Sequence, residues 1–120
     1  KLIAEMEFGI WKYMFSNPQY KATGRCLLNI FPNKPKSTPS AHYDNSFLFN
    51  ELDNINKLRN RIAHHEPICF QRSTDVVDLT YVTQQYNRIK TLFSWMDIDF
   101  KVLVYGLDQV NKCCNKIMSI

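Results

Sequence analysis

An arginine and a histidine that could act on a phosphodiester lie close together in the middle of the chain, at Arg59 and His64. Histidine titrates near neutral pH and serves as a general acid or base, while arginine grips phosphate oxygens through paired hydrogen bonds. Asn60 directly follows the arginine and can orient the histidine or the phosphate. These residue types fit RNA transesterification, which needs a base for the 2′-hydroxyl, an acid for the leaving 5′-oxygen and positive charge on the transition state.

One copy of the chain does not complete this chemistry. A single histidine supplies half of an acid–base pair, and at 100° per residue Arg59 and His64 stand about 140° apart around a helix. Two copies of the helix facing each other across a twofold axis would solve both problems. We therefore expect a homodimer with a shared site.

A metal site is the competing interpretation of the same stretch. His64, His65, Glu66 and Cys69 are crowded together, and all three residue types are zinc ligands. Adjacent histidines on a helix point about 100° apart, however, and share one ion poorly. We expect neither a metal nor another cofactor.

The helix that must position these residues is predicted over residues 44–65. Its apolar side chains recur at helical spacing, at Leu48, Leu52, Ile55, Leu58 and Ile62. Arg59 falls about 20° from Leu48 on the helical wheel, within the apolar stripe. Since an unpaired guanidinium in a core is costly, we expect Arg59 to meet an acid, a cleft or a partner molecule. An ion pair with Asp78 or Asp108 is the structural alternative.

The remaining chain also shows helical patterns. The first helix carries Leu2, Ile3, Met6, Ile10 and Met14 and ends at Asn17-Pro18. Further helices are predicted over residues 19–30, over 73–95, and from Phe100 through Ile117, with a proline-rich loop over 31–42. A strand over residues 102–105 is the alternative, which the wider helical spacing disfavours. The prediction is an all-α bundle of about five helices, forming a single domain over 1–120.

Composition and charge exclude several classes of protein. With 120 residues, 45% of them hydrophobic, the chain can bury a core and is not disordered. Three glycines form no phosphate-cradling loop, and no apolar run is long enough to span a membrane. The net charge is +4, with five cations and no acid between Phe8 and Tyr43. Such segregated charge favours RNA, and the predicted RNA-binding side chains are Lys34, Lys36, Lys57 and Arg61.

Residues 58–68 (LRNRIAHHEPI) resemble the signature of bacterial abortive-infection (Abi-like) proteins, which belong to the HEPN superfamily. Residues 8–11 (FGIW) resemble a second element of that family, on an earlier helix. The resemblance covers most of the chain. It implies a HEPN-like helical domain that dimerises and cleaves RNA without metal, in phage defence or toxin–antitoxin systems. Carried over to this sequence, it makes Arg59, Asn60 and His64 the motif residues, and His65, one residue further on, also fits the spacing that the motif permits and is the alternate for His64.

The resemblance also leads to expectations about the length of the whole protein and its location in the cell. Family members are longer and this chain begins at Lys1, so we expect a C-terminal portion of a larger protein. The spacing of the four cysteines favours reduced thiols, as in a bacterial cytoplasmic protein. Because some HEPN proteins bind RNA without cutting it, a non-catalytic module that holds a structured or small RNA, or an antitoxin partner, is the alternative function.

Overall fold

The computed structural model describes residues 8–71 and 73–119, and this part of the chain is helical, with two isolated β-bridges and no strand. The predicted all-α class is confirmed. The predicted positions at Leu2, Ile3 and Met6 lie outside the described residues. The α-helices are α1 (Phe8–Lys12), α2 (Asn17–Ala22), α3 (Asn45–Ala63), α4 (Thr80–Trp95), α5 (Phe100–Leu103) and α6 (Val110–Met118), and 3-10 helices cover Tyr13–Phe15 and Leu27–Ile30. None of these helices combines the length and apolar character that crossing a bilayer requires.

The predicted helix over residues 44–65 is confirmed as α3, which has 19 residues. Asp44 caps its N-terminus, where the carboxylate accepts a hydrogen bond from the Phe47 backbone at 3.0 Å. At the other end the chain leaves through a Schellman turn. In this turn the amide of Glu66 donates to the carbonyl of Arg61 at 2.8 Å, and the amide of His65 donates to that of Ile62 at 3.1 Å. Both ends of α3 therefore have defined caps.

The hydrophobic core holds only the first part of α3. Leu48 is fully buried, and it lies in one cluster with Phe15, Phe31 and Leu92. Partly buried side chains surround this cluster, namely Met14, Leu27, Leu28, Phe47, Phe49, Leu52, Ile55, Trp95 and Met96. Further along α3 the apolar stripe is no longer buried, as shown by Ile62, which is 54% exposed. The carboxyl-terminal part of α3 thus extends beyond the core.

Two ion pairs tie neighbouring helices to α3. The ammonium of Lys12, a nearly buried side chain on α1, donates to the carboxylate of Asp53, which also pairs with Lys57 at 3.0 Å. On the other side, Arg88 of α4 pairs with Glu51 at 2.9 Å and donates to the buried amide oxygen of Gln85 at 2.8 Å. These contacts fix the positions of α1 and α4 relative to α3.

Two predicted helices are shorter than expected because left-handed residues interrupt them. The helix predicted over 19–30 ends at Ala22, where Gly24 and Arg25 have φ values of 76° and 60°. The helix predicted from Phe100 through Ile117 divides into α5 and α6, with Gly106 at φ 76° between them. Glycine adopts this conformation without steric cost, so each turn is favoured locally.

The helix predicted over 73–95 begins later, at Thr80. The residues before it form backbone pairs instead, with the amide of Asp78 donating to Cys69 and that of Gln71 to Val76, both at 2.8 Å. We call residues 69–71 and 73–78 the hairpin. The Asp78 carboxylate then accepts from the Thr80 amide at 2.9 Å, which starts α4.

Removing the largest fully buried side chain tests this core. Leu48→Ala should lower the free energy of unfolding by about 3 kcal/mol, because it deletes buried methyl groups and leaves a cavity. Chemical denaturation followed by circular dichroism measures the change. The matched control is Leu107→Ala, at a leucine that is 78% exposed, and it should change stability by less than about 0.5 kcal/mol. Equal effects of both substitutions would contradict the assigned core.

The Lys12–Asp53 pair predicts a pH dependence. Hydrogen bonds from Lys12 and then Lys57 hold the pKa of Asp53 below its usual value. The stability that this pair contributes is therefore fully present above the unfolded-state pKa, about 4, and is lost as pH falls through the lower folded-state pKa. Asp53→Asn should destabilise the protein at pH 7 by about 1–3 kcal/mol, and the difference from wild type should shrink in acid.

Denaturant titrations at pH 7 and below pH 4 check this expectation. Glu66→Gln is the control, since Glu66 pairs with Arg61 at 3.6 Å in an exposed contact that contributes less than about 1 kcal/mol. A wild-type to Asp53→Asn difference that stays constant with pH would count against the ion pair.

Candidate functional site

Arg59 lies on the projecting end of α3 and is exposed. The expectation that it sits within a buried stripe is wrong, because the core ends before this turn of the helix. Its Nη1 donates to the Oδ1 of Asn60 at 3.2 Å, and it forms no ion pair with any residue in 8–71 or 73–119. The alternative partners are engaged elsewhere, Asp78 by the Thr80 amide and Asp108 by the Tyr86 hydroxyl.

His64 and His65 are both exposed at the carboxyl end of α3. His64 is the C-cap, and its backbone amide donates to the Asn60 carbonyl at 2.9 Å. His65 occupies the left-handed position of the Schellman turn, with φ 57°. Within the described part of the chain neither imidazole has a hydrogen-bond partner. The Asn60 side chain therefore contacts the arginine and not the histidine.

Arg61 is the most constrained cation of the motif. Its guanidinium stacks on the ring of Tyr81 at 4.5 Å, pairs with Glu66 at 3.6 Å and donates to the Pro67 carbonyl. These contacts fasten the chain that follows α3 to the first turn of α4. Arg61 thus contacts other residues of its own chain, and these contacts position the segment beside the site.

The other predicted RNA-binding lysines lie in two places. Lys57 is exposed on α3 and shares the Asp53 carboxylate with Lys12. Lys34 is half-buried and Lys36 exposed, both within the proline-rich loop. Two cations around one carboxylate leave a net positive charge on this face of α3.

An open cleft of about 1020 Å³ lies beside the motif, between the end of α3, the hairpin and the start of α4. Its described lining residues are Lys57, Arg61, Glu66, Pro67, Ile68, Phe70, Gln71, Ser73, Thr74, Asp75, Asp78 and Tyr81. We call it the α3–hairpin cleft. Sequence reasoning missed Phe70 and the hairpin, although apolar residues on both sides of the turn-forming Ser73 and Thr74 are a hairpin signal.

The FGIW stretch lies in α1, which packs against α3. Gly9 of α1 faces Asn56 in the middle of α3, and a Cβ added at Gly9 would lie 3.6 Å from the Asn56 amide nitrogen. Trp11 remains 37% exposed, and the side chain of Phe8 lies outside the described residues. The FGIW stretch therefore contacts α3 at Asn56, before the LRNRIAHHEPI stretch begins.

The potential metal-ligating side chains at and after the end of α3 do not come together in one place. Across residues 8–71 and 73–119, no three His, Cys, Asp or Glu side chains come close enough together to hold a metal ion. Burial, and then the neighbouring Cys114, raises the pKa of the Cys69 thiol, which is half-buried. Comparison with known protein families, curated proteins and solved structures finds no match to this chain. The function of this surface is therefore inferred from its own residues.

Because His65 has a positive φ, we predict that glycine substitutions at His65 and at His64 change the stability in opposite directions. His65→Gly should stabilise the protein by about 0.5–1 kcal/mol, because a side chain at positive φ costs energy that glycine avoids. His64→Gly, one residue earlier at φ −93°, should destabilise it by a similar amount. Thermal and chemical unfolding of both variants measures whether each substitution raises or lowers the stability. A loss of stability for His65→Gly would contradict the turn.

Proposed function

We propose that this protein is a metal-independent endoribonuclease that acts as a homodimer, with Arg59 and His64 of each copy in a shared site. The observation that carries the proposal is an exposed arginine on the projecting end of α3 that pairs with no carboxylate of the described chain. An exposed histidine follows it at the C-cap of the same helix. A phosphodiester supplies the counter-ion that Arg59 lacks.

The reaction is an internal transesterification of RNA. One imidazole takes the proton from a 2′-hydroxyl, whose oxygen attacks phosphorus. The bond from phosphorus to the 5′-oxygen breaks, and a protonated imidazole gives that oxygen its proton. Arg59 binds the non-bridging oxygens, where charge builds up in the transition state. Two copies supply the second imidazole and overcome the separation of Arg59 and His64 around one helix.

The proposal extends to setting and partners. An RNA-cleaving protein that resembles Abi-like HEPN proteins would act in phage defence or as the toxin of a toxin–antitoxin pair, with RNA as substrate and an antitoxin or small RNA as regulator. The bacterial cytoplasm suits this role, since RNA is present there and cysteine thiols stay reduced. The described cysteines, Cys26, Cys69, Cys113 and Cys114, are all free thiols.

One observation favours a second candidate, a non-catalytic RNA-binding module. The Asn60 amide oxygen accepts from Arg59, and no described residue hydrogen-bonds either imidazole of the motif. Histidines that act as general bases are commonly oriented by such a bond. Binding without cutting would use the same cations.

Cleavage of a labelled RNA in excess EDTA tests the proposal. Wild type should cleave, and both Arg59→Ala and His64→Ala should lose at least about 100-fold in rate, since each removes a group that acts in the transition state. His42→Ala, an exposed histidine outside the motif, is the matched control and should cleave normally. Lys112→Ala controls for the loss of one positive charge.

Mixing the two inactive variants tests the shared site. Dimers with one Arg59→Ala copy and one His64→Ala copy retain one arginine but only one of the two imidazoles, so they should cleave faster than either variant alone and remain well below wild type. Tight RNA binding by wild type without any cleavage would instead support the non-catalytic module. Cleavage that stops in EDTA would refute the metal-independent mechanism.

A further inference from the structure

The α3–hairpin cleft carries opposite charges on its walls. Lys57 and Arg61 come from α3, whereas Asp75 and Asp78 come from the hairpin; Glu66 also lines the cleft and pairs with Arg61. Hydrogen bonding by Thr80 lowers the pKa of the Asp78 carboxyl, which is therefore ionised at neutral pH. A ligand that fits such a cleft has an anionic part for one wall and hydrogen-bond donors for the other.

Aromatic surface is available in the same cleft. Phe70 lies in the hairpin and is 45% exposed, and it stacks on no other aromatic ring of the described chain. One face of Tyr81 is covered by Arg61. Phe70 is therefore the ring that a planar ligand can reach. Unpaired bases of single-stranded RNA stack on aromatic side chains of this kind.

We propose that the α3–hairpin cleft holds an unpaired base of the RNA, with Phe70 as its stacking surface and the attached phosphate towards Lys57. A phosphate on the hairpin side of the cleft would meet the carboxylates of Asp75 and Asp78, whereas a base is neutral. The cleft volume of about 1020 Å³ is sufficient for a nucleoside, since pockets for small ligands span roughly 300–1,000 Å³. The inference takes RNA as the ligand from the proposed function.

The carboxylates of the cleft also discriminate between the bases of RNA. Asp78 already accepts the Thr80 amide through Oδ1, whereas Asp75 is exposed and has no hydrogen-bond partner among the described residues. A carboxylate accepts from an exocyclic amino group, as it does from cytosine N4. Adenine and cytosine carry such a group and uracil does not. Asp75 therefore favours adenine and cytosine over uracil.

Binding of short oligonucleotides to the full chain tests the cleft. The probes are fluorescent 2′-O-methyl strands of equal length composed only of adenine, cytosine or uracil, which cannot undergo transesterification. The adenine and cytosine strands should bind roughly tenfold more tightly than the uracil strand. Phe70→Ala should weaken all three roughly tenfold, and Asp75→Asn should abolish the preference, because an amide also donates to uracil. Tyr105→Ala, at a tyrosine that is 88% exposed, is the matched aromatic control and should bind like wild type.

The outcomes separate this inference from the proposed function. Because the probes cannot be cleaved, the base preference is expected even if no RNA is cut, and it should persist in His64→Ala. If Phe70→Ala and Tyr105→Ala bind alike, or if the three strands bind equally in wild type and in Asp75→Asn, the cleft is not a base site. Cleavage of natural RNA by wild type would stand in that case. Circular dichroism of each variant confirms that the fold is retained.

Discussion

The burial of Leu48 is the constraint on which the arrangement of the motif depends. The core that forms around it also contains Phe15, Phe31 and Leu92, which come from chain segments on both sides of α3. This packing is concentrated on the turns up to Ile55, and in the turns that follow Lys57, Arg59 and Ile62 are exposed to solvent. A motif placed one or two turns earlier would be covered by the core. The position of the motif along α3 therefore decides that it is accessible.

Ion pairs extend the support of α3 without burying the motif. Asp53 contacts Lys12 from α1 and Lys57 from its own helix, and Glu51 contacts Arg88 from α4. These carboxylates precede the basic half of the helix, where the negative end of the helix dipole favours cations. The charge separation along α3 thus serves packing and complements the helix dipole. Its acidic half binds neighbouring helices, and in its basic half Arg59 pairs with no carboxylate among residues 8–71 and 73–119.

Sequence patterns predicted the elements that depend on local chemistry. The bounds of α3 followed from its apolar spacing, and the all-α class followed from the absence of alternating patterns. The start of α4 was missed because backbone pairing between Cys69 and Asp78 competes with helix formation. The exposure of Arg59 was missed because a helical wheel gives direction around the axis but not where the core ends along it. The stacking of Arg61 on Tyr81 joins distant residues that no local pattern connects.

The fastening of the segment after α3 has a dynamic consequence. Arg61 holds it through one ring, one carbonyl and one exposed carboxylate, contacts that together contribute only a few kcal/mol. Such a tether can open while the cluster around Leu48 stays intact, since local opening costs less than global unfolding. Amide protons of the hairpin should then exchange with solvent sooner than those of the buried half of α3. The segment after α3 can therefore move while α3 and the core around Leu48 remain intact.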